Sequence, residues 1–383
     1  MFVAKLWDMT NICLADAGPE IMSLIPFQLG FNPRNSIVLV SLRPQCQAGK
    51  SGLTTGLIMR IDTAEINAAV VSVLSSHLQR DGADSVLMVA YFDDAQAADR
   101  FVGSTDLALI NQSLVTDFTE VISYLVMGEE FARIDSRGQV VSLFKNVSEL
   151  KYTKTALKMV LAGKQVEGSR ADLAPVQECS QERKEAFAAA FEESLRKVDE
   201  AKGGGTNNGN KSGLFGIVTE FHDLMQAKIG NPKVVSDVVA LGRLAGGLED
   251  AFARDTVLVS LIPGNLEKVT QALKAPNSER EFRQHPIWQS IDLITGAQGA
   301  LAPDEKQMRA SVALLREIEG HLQLTRGVAV FGLLAWLSWW AGQGAQADLY
   351  VNRGLEVNSE YSFLIILKKM ITLGMAPGWV KNW

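Results

Sequence analysis

Cysteine is nearly absent: Cys13, Cys46 and Cys179 are three residues in 383. They are too few and too scattered for a disulfide framework or a CxxC metal site, so they read as reduced thiols of a cytoplasmic protein. Histidine is as scarce. His77, His222, His285 and His321 keep no ligand spacing to one another or to the cysteines, and neither HExxH nor GxSxG occurs. Positive charge is not in excess, with 37 Lys and Arg against 43 Asp and Glu and a net charge of −6. This argues against a dedicated nucleic-acid binder, which carries a basic face. A secretory leader is not expected either, because Lys5 and Asp8 interrupt the first apolar stretch. One long uncharged run exists, residues 327–347 (GVAVFGLLAWLSWWAGQGAQA). Gly342, Gln343, Gly344 and Gln346 make its second half polar and turn-like, so a buried core helix is expected, with an interfacial or membrane helix as the alternative.

What is present is ordinary globular material. The hydrophobic content is 47%, and the length suits two or three domains of roughly 100–200 residues. Residues 1–150 read as α/β. The run 36–42 (SIVLVSL) follows a turn at Asn32-Pro33-Arg34-Asn35 and has the continuous apolar pattern of a strand buried on both faces. Residues 53–61 and 85–92 are further strands, and 63–80 and 94–102 have helical spacing. Residues 130–135 and 139–144 flank Ser136-Arg137-Gly138 as a hairpin. A mixed sheet with helices on its faces is expected.

Residues 151–202 form a helical extension, with 153–161 and the amphipathic 181–202 as helices. Residues 203–213 (GGGTNNGNKSG) read as a flexible linker and domain boundary. An all-α domain of helical hairpins, 214–383, follows. Its helices are expected at 214–227, 232–247, 249–262, 265–273, 303–321, 328–341, 345–356 and 361–373, with Pro232 and Pro303 as first-turn prolines.

Several patches together resemble a known family. They are residues 25–36 (IPFQLGFNPRNS), 60–62 (RID), 91–94 (YFDD), 168–173 (GSRADL), 253–255 (ARD) and the small-residue and tryptophan pattern between Ala335 and Ser362. The chain resembles an uncharacterised actinobacterial family, domain of unknown function forty-one ninety-two, along nearly its whole length. The Pro-x-x-Leu-Gly-Phe-x-Pro-x-x-Ser element is the most specific part. The resemblance implies the fold and a bacterial origin, and no catalytic residue. The tryptophan- and cysteine-rich segment of many members is missing at 141–150, so no metal or redox role carries over. The glycine-rich linker is also longer than the family pattern suggests. The last 60 residues resemble a tetratricopeptide unit, with Ala335 and Ala347 at its small-residue positions around Gly342. The alternative is an ordinary helical hairpin.

Two near-misses to a phosphate loop fail. Residues 48–51 (AGKS) have Pro44 where the leading glycine belongs, and 205–212 (GTNNGNKS) have Asn210 at the second. Asp62, Asp93 and Asp94 each follow a strand, at the edge where α/β sheets bind ligands. There they would hold a ligand or Mg²⁺, or act as turn formers and helix caps. Arg34, Asn35 and Arg43 flank the first strand and would join such a site. Trp336, Trp339 and Trp340 are not expected to share one face of their helix, so at least one is expected to meet a second surface, another domain or a partner. Two readings result. The first is a non-catalytic interaction or scaffold protein that docks a protein partner or self-associates, without cofactor, nucleic acid or membrane span. The second is a metal- or nucleotide-dependent enzyme or small-ligand binder at the sheet edge.

Overall fold

The computed structural model describes residues 2–4, 17–47, 50–203, 209–231, 233–275, 278–296, 300–322 and 326–380. Seven strands form one sheet: β1 (Phe2–Ala4), β2 (Ser36–Gln47), β3 (Lys50–Asp62), β4 (Ser85–Phe92), β5 (Glu120–Met127), β6 (Glu130–Ile134) and β7 (Lys145–Asn146), in the order β1-β3-β2-β4-β5-β6-β7. Among these strands, only β4 and β5 pair in parallel. Because β2 is antiparallel to both β3 and β4, the strands β3, β4 and β5 all run the same way. Their C-terminal ends meet at one edge of the sheet.

The expected α/β unit followed by an all-helical region is what forms. The central strands read as unbroken apolar runs because helices cover both faces. On one face lie α2 (Ala68–Arg80), α3 (Ala95–Val102) and α4 (Thr105–Asp117), whose Leu74, Phe101 and Ile110 pack on Leu39, Met88 and Ala90. On the other lies α1 (Ala17–Leu29), with α5 (Lys154–Leu161) packed outside it. Here Met22, Ile25 and Phe31 meet Val38, Ile58 and Val89. This second core continues without a break into the helices that follow. Those are α6 (Gln181–Gly203), α7 (Gly209–Gly230), α8 (Val238–Leu248), α9 (Ala251–Ser260), α10 (Leu266–Lys274), α11 (Glu279–Arg283), α12 (Asp292–Thr295), α13 (Glu305–Glu319), α14 (Val328–Trp340), α15 (Gly344–Val357) and α16 (Ser362–Thr372).

Four expectations need adjustment. The turn at Ser136-Arg137-Gly138 exists, with the Asp135 carboxylate accepting from the Arg137 and Gln139 amides and Gly138 at φ 80°. Its second arm, however, forms only the isolated bridge of Ile134 with Val140, and β6 makes its ladders with β5 and, just beyond that arm, with β7. The helix expected from 232 begins at Val238, because the Asp237 carboxylate accepts from the Val239 amide and fixes the start. Pro303 likewise stands just before the cap of α13, which is Asp304. Of the linker 203–213, α6 runs to Gly203 and α7 opens at Gly209, while 204–208 lie outside the described residues.

The uncharged run at 327–347 contains α14, all of whose 13 residues are buried. Gly327, at φ 81°, opens the helix and Gly342, at φ 76°, makes the turn into α15. Among the described residues, no helix is long and apolar enough to cross a membrane. The helices α6 and α8 approach closely because α8 offers glycine. A Cβ at Gly242 would stand 2.4 Å from the Phe187 carbonyl oxygen, and one at Gly246 would stand 2.5 Å from that of Phe191.

Candidate functional site

The patches at 25–36, 60–62, 91–94 and 168–173 are far apart in the chain, and the fold brings them to one edge of the sheet. Helix α1 stops where Gly30 enters the left-handed region at φ 84°, its amide bonded to the Pro26 carbonyl at 2.8 Å. Phe31 then turns inward and is buried. The backbone of Gly30 and Asn32 pairs with Glu167, which draws residues 168–173 alongside. Asn35 adopts φ 42°, a conformation that asparagine tolerates better than most residues. That turn directs its amide Nδ2 to Asp93 Oδ2 at 2.8 Å and leaves its carbonyl to accept from Thr63. Arg34 Nε stands 3.8 Å from Asp93 Oδ1.

Arg60 is the centre of this edge. Its side chain is only 4% exposed although it projects from an apolar strand. The guanidinium lies over the Phe31 ring, 5.5 Å from the centroid. Its Nη2 donates to Asp62 Oδ1 at 2.6 Å and to the Arg34 carbonyl at 3.3 Å. The other carboxylate oxygen of Asp62 faces Arg170 Nη1 at 3.4 Å. Arg170 also pairs through Nη2 with Asp348 of α15. Lys368 of α16 closes the row, its Nζ 2.7 Å from Asp348 Oδ1 and 3.0 Å from Asn352 Oδ1. Burial disfavours the charged form of Asp348. The hydrogen bond from Lys368 and the charges of Lys368 and Arg170 outweigh that, and hold its carboxyl below the ordinary value.

The result is an alternating row, Arg60–Asp62–Arg170–Asp348–Lys368, from the sheet into the last two helices. The segment between is clamped as well. The Leu173 carbonyl accepts from Arg316 and from Gln346, and the Ala174 carbonyl from Arg353.

The three acids singled out in the sequence share the edge but not a task. Asp62 does not cap the short 3-10 turn Thr63–Glu65 that follows it, and is held by two arginines instead. Asp93 is half-exposed and bonded to Asn35. Asp94 caps α3, accepting from the Ala97 amide at 2.7 Å. Among the described residues, no group of three or more His, Cys, Asp or Glu is placed to hold a metal ion. Of the three flanking residues, Arg34 and Asn35 reach the edge. Arg43 lies at the far end of β2 beside Asp81, at 3.6 Å.

The three tryptophans lie inside the protein. Trp336, Trp339 and Trp340 are all buried, because α14 is enclosed on every side rather than lying on a surface. Trp339 donates to the Met375 carbonyl and Trp340 to that of Leu301, while Trp336 packs against Trp339 and Phe363. Ala335 and Ala347 are fully buried where α14 and α15 pack against each other.

His222 is buried in the helical region. His222 Nε2 lies 2.8 Å from Ser260 Oγ, but that hydroxyl is already 2.7 Å from the Val257 carbonyl. The hydroxyl proton therefore goes to the carbonyl, the imidazole is the donor to Ser260, and the serine is not activated. Burial pushes the His222 pKa down to about 4. Cys179 is a free, half-buried thiol near the Gly320 carbonyl. Cys13 and residues 48–49 of the first phosphate-loop near-miss lie outside the described residues, as do residues 205–208 of the second.

Sequence reasoning named Arg60 and Arg170 only as parts of motifs, and passed over Asp348 and Lys368. The available signal was Arg60 itself, a cation in an apolar strand that must find an anionic partner. No curated protein and no solved structure matches the chain. A family profile described as Domain of unknown function (DUF4192) matches residues 19–275, and the chain belongs to that family.

Proposed function

We propose that this chain is a non-catalytic interaction protein, a scaffold in which the α/β unit and the helical region are locked in a fixed relation. The observation that carries this reading is the row from Arg60 to Lys368. At the edge formed by the C-terminal ends of β3, β4 and β5, Asp62 is held between two arginines, and beyond it Asp348 between an arginine and a lysine. Asp94 is used as a cap. Paired charges of this kind position backbone and leave no carboxylate pair converging on a shared ion.

The test is gel filtration of the native-host lysate under gentle conditions, followed by salt. The expected result is elution well above the monomer position, with one protein in fixed ratio, collapsing to the monomer position when salt breaks the complex. Elution as a monomer from a lysate in which the chain is folded overturns the reading. So does strong thermal stabilisation by a divalent metal or nucleotide that disappears in Asp62→Asn.

A further inference from the structure

Residues 139–161 present a surface that no part of the described fold covers. Val140, Val141, Leu143, Phe144, Tyr152, Leu157, Val160 and Leu161 are all exposed, Leu143 and Leu161 at 87% and Tyr152 at 80%. The segment forms one layer. β7 pairs with the edge of β6, the 3-10 turn Val147–Tyr152 packs on β7 and on α5, and α5 packs on α1. Helix α5 turns Thr155, Ala156 and Met159 inward. Leu157 and Leu161, one turn apart, therefore point straight out, the reverse of an ordinary surface helix. Lys154 and Lys158 flank them, and Lys145 and Lys151 stand exposed in the same layer. Within 139–161 four lysines stand with one acid, Glu149, in a chain whose net charge is −6; around them, Glu20 of α1 lies against Lys154, and Glu129 and Glu130 border β7.

We infer that this face docks on an anionic lipid surface, with the aliphatic side chains entering the headgroup region and the lysines meeting lipid phosphates. Charge complementarity and composition single out that occupant. A second copy related by a two-fold axis would set the four lysines against the same four. Protein interfaces are depleted in lysine and draw their binding energy from Tyr, Trp and Arg. Here the cations are all lysine and the protruding groups mostly Leu and Val, the composition of an interfacial membrane anchor. This inference goes beyond the scaffold reading and does not depend on it, since lipid binding needs no protein partner.

The test is co-sedimentation of the full chain with vesicles of phosphatidylcholine alone and of phosphatidylcholine with phosphatidylglycerol. The chain is expected to bind the anionic vesicles, to release as salt rises, and to bind neutral vesicles far less. Each lysine near an anionic surface raises partitioning about fivefold, so the triple variant Lys145→Gln, Lys151→Gln, Lys158→Gln is expected to lose on the order of a hundredfold. Leu143→Ser with Leu161→Ser is expected to lose about a hundredfold, at about tenfold per leucine withdrawn from the headgroup region. Val115→Ser, an exposed site on α4, is expected to bind as the unchanged chain does. All five substituted lysines and leucines are exposed, and circular dichroism confirms folding. No binding to anionic vesicles, or binding that neither set of variants weakens, overturns the inference. Capture of an acidic host protein that the same variants abolish, without vesicle binding, overturns it too and gives the face to a protein. Failure with vesicles leaves the complex sought by gel filtration untouched.

Discussion

Replacing Asp348 by Asn keeps the shape of the side chain and removes the charge that two cations share. Asp348 is buried, and Arg170 and Lys368 are 21% and 36% exposed. Breaking a fully buried pair costs about 3–5 kcal/mol, and the partial exposure of both cations brings the expectation to about 2–3 kcal/mol. Urea unfolding at neutral pH should show this as a lower midpoint with an unchanged slope. The pH dependence gives a second reading. The folded-state pKa of Asp348 is depressed, so its contribution is fully present above the unfolded value of about 3.9 and is lost as pH falls through the folded one. The difference between the two proteins is expected to stay constant from neutral pH down to about pH 4, then shrink. A difference under about 0.5 kcal/mol at neutral pH, the size of an ordinary surface substitution, refutes the role given to this row, and so does one that grows on acidification.

Gly242→Ala adds a methyl 2.4 Å from the Phe187 carbonyl oxygen. A glycine-to-alanine change in an open helix gains about 1 kcal/mol. Here the backbone of α6 stands in the way, and a loss of about 1–3 kcal/mol is expected in chemical denaturation. His222, depressed to about 4 by burial, stabilises the fold fully above the unfolded histidine value of about 6.5. That contribution is lost as pH falls through the folded value, up to about 3 kcal/mol. Measured by urea unfolding from pH 7 to 4, a His222→Gln variant is expected to lose that part of the slope.

The secondary structure was largely legible because the signals are local. The apolar run at 85–92 is β4 to the residue, since a strand covered on both faces has no polar side to show. Helices α14 to α16 fall within one or two residues of their expected limits. β5 is not legible in the sequence because Glu120, Ser123 and Tyr124 break its apolar run. The β-prone residues of the arm at 139–144 predict a strand. In the structure it bridges β6 only at Val140, and the Arg133 amide bonds to the Ser142 hydroxyl rather than to a backbone carbonyl.

The edge was harder to read. Asp94 as a cap follows from the residues after it, whereas the hold on Asp62 comes from Arg170, 108 positions away, and that on Arg170 from Asp348, another 178. No local pattern carries such pairings. The tryptophans illustrate the same limit. Their i, i+3, i+4 spacing sets the three on one side of α14, with Trp336 against Trp339, contrary to the expectation that they divide between faces, and only the packing of α8, α9, α13, α15 and α16 around α14 shows that every face of that helix is interior.

Native mass spectrometry of the full chain, purified gently from its own host, tests the central claim most directly because it weighs protein partners and small ligands in one spectrum. The account predicts a species heavier than the chain by the mass of one protein partner in whole-number ratio, with no retained metal or nucleotide. A chain found alone, carrying a metal ion or nucleotide that Asp62→Asn removes, would contradict it.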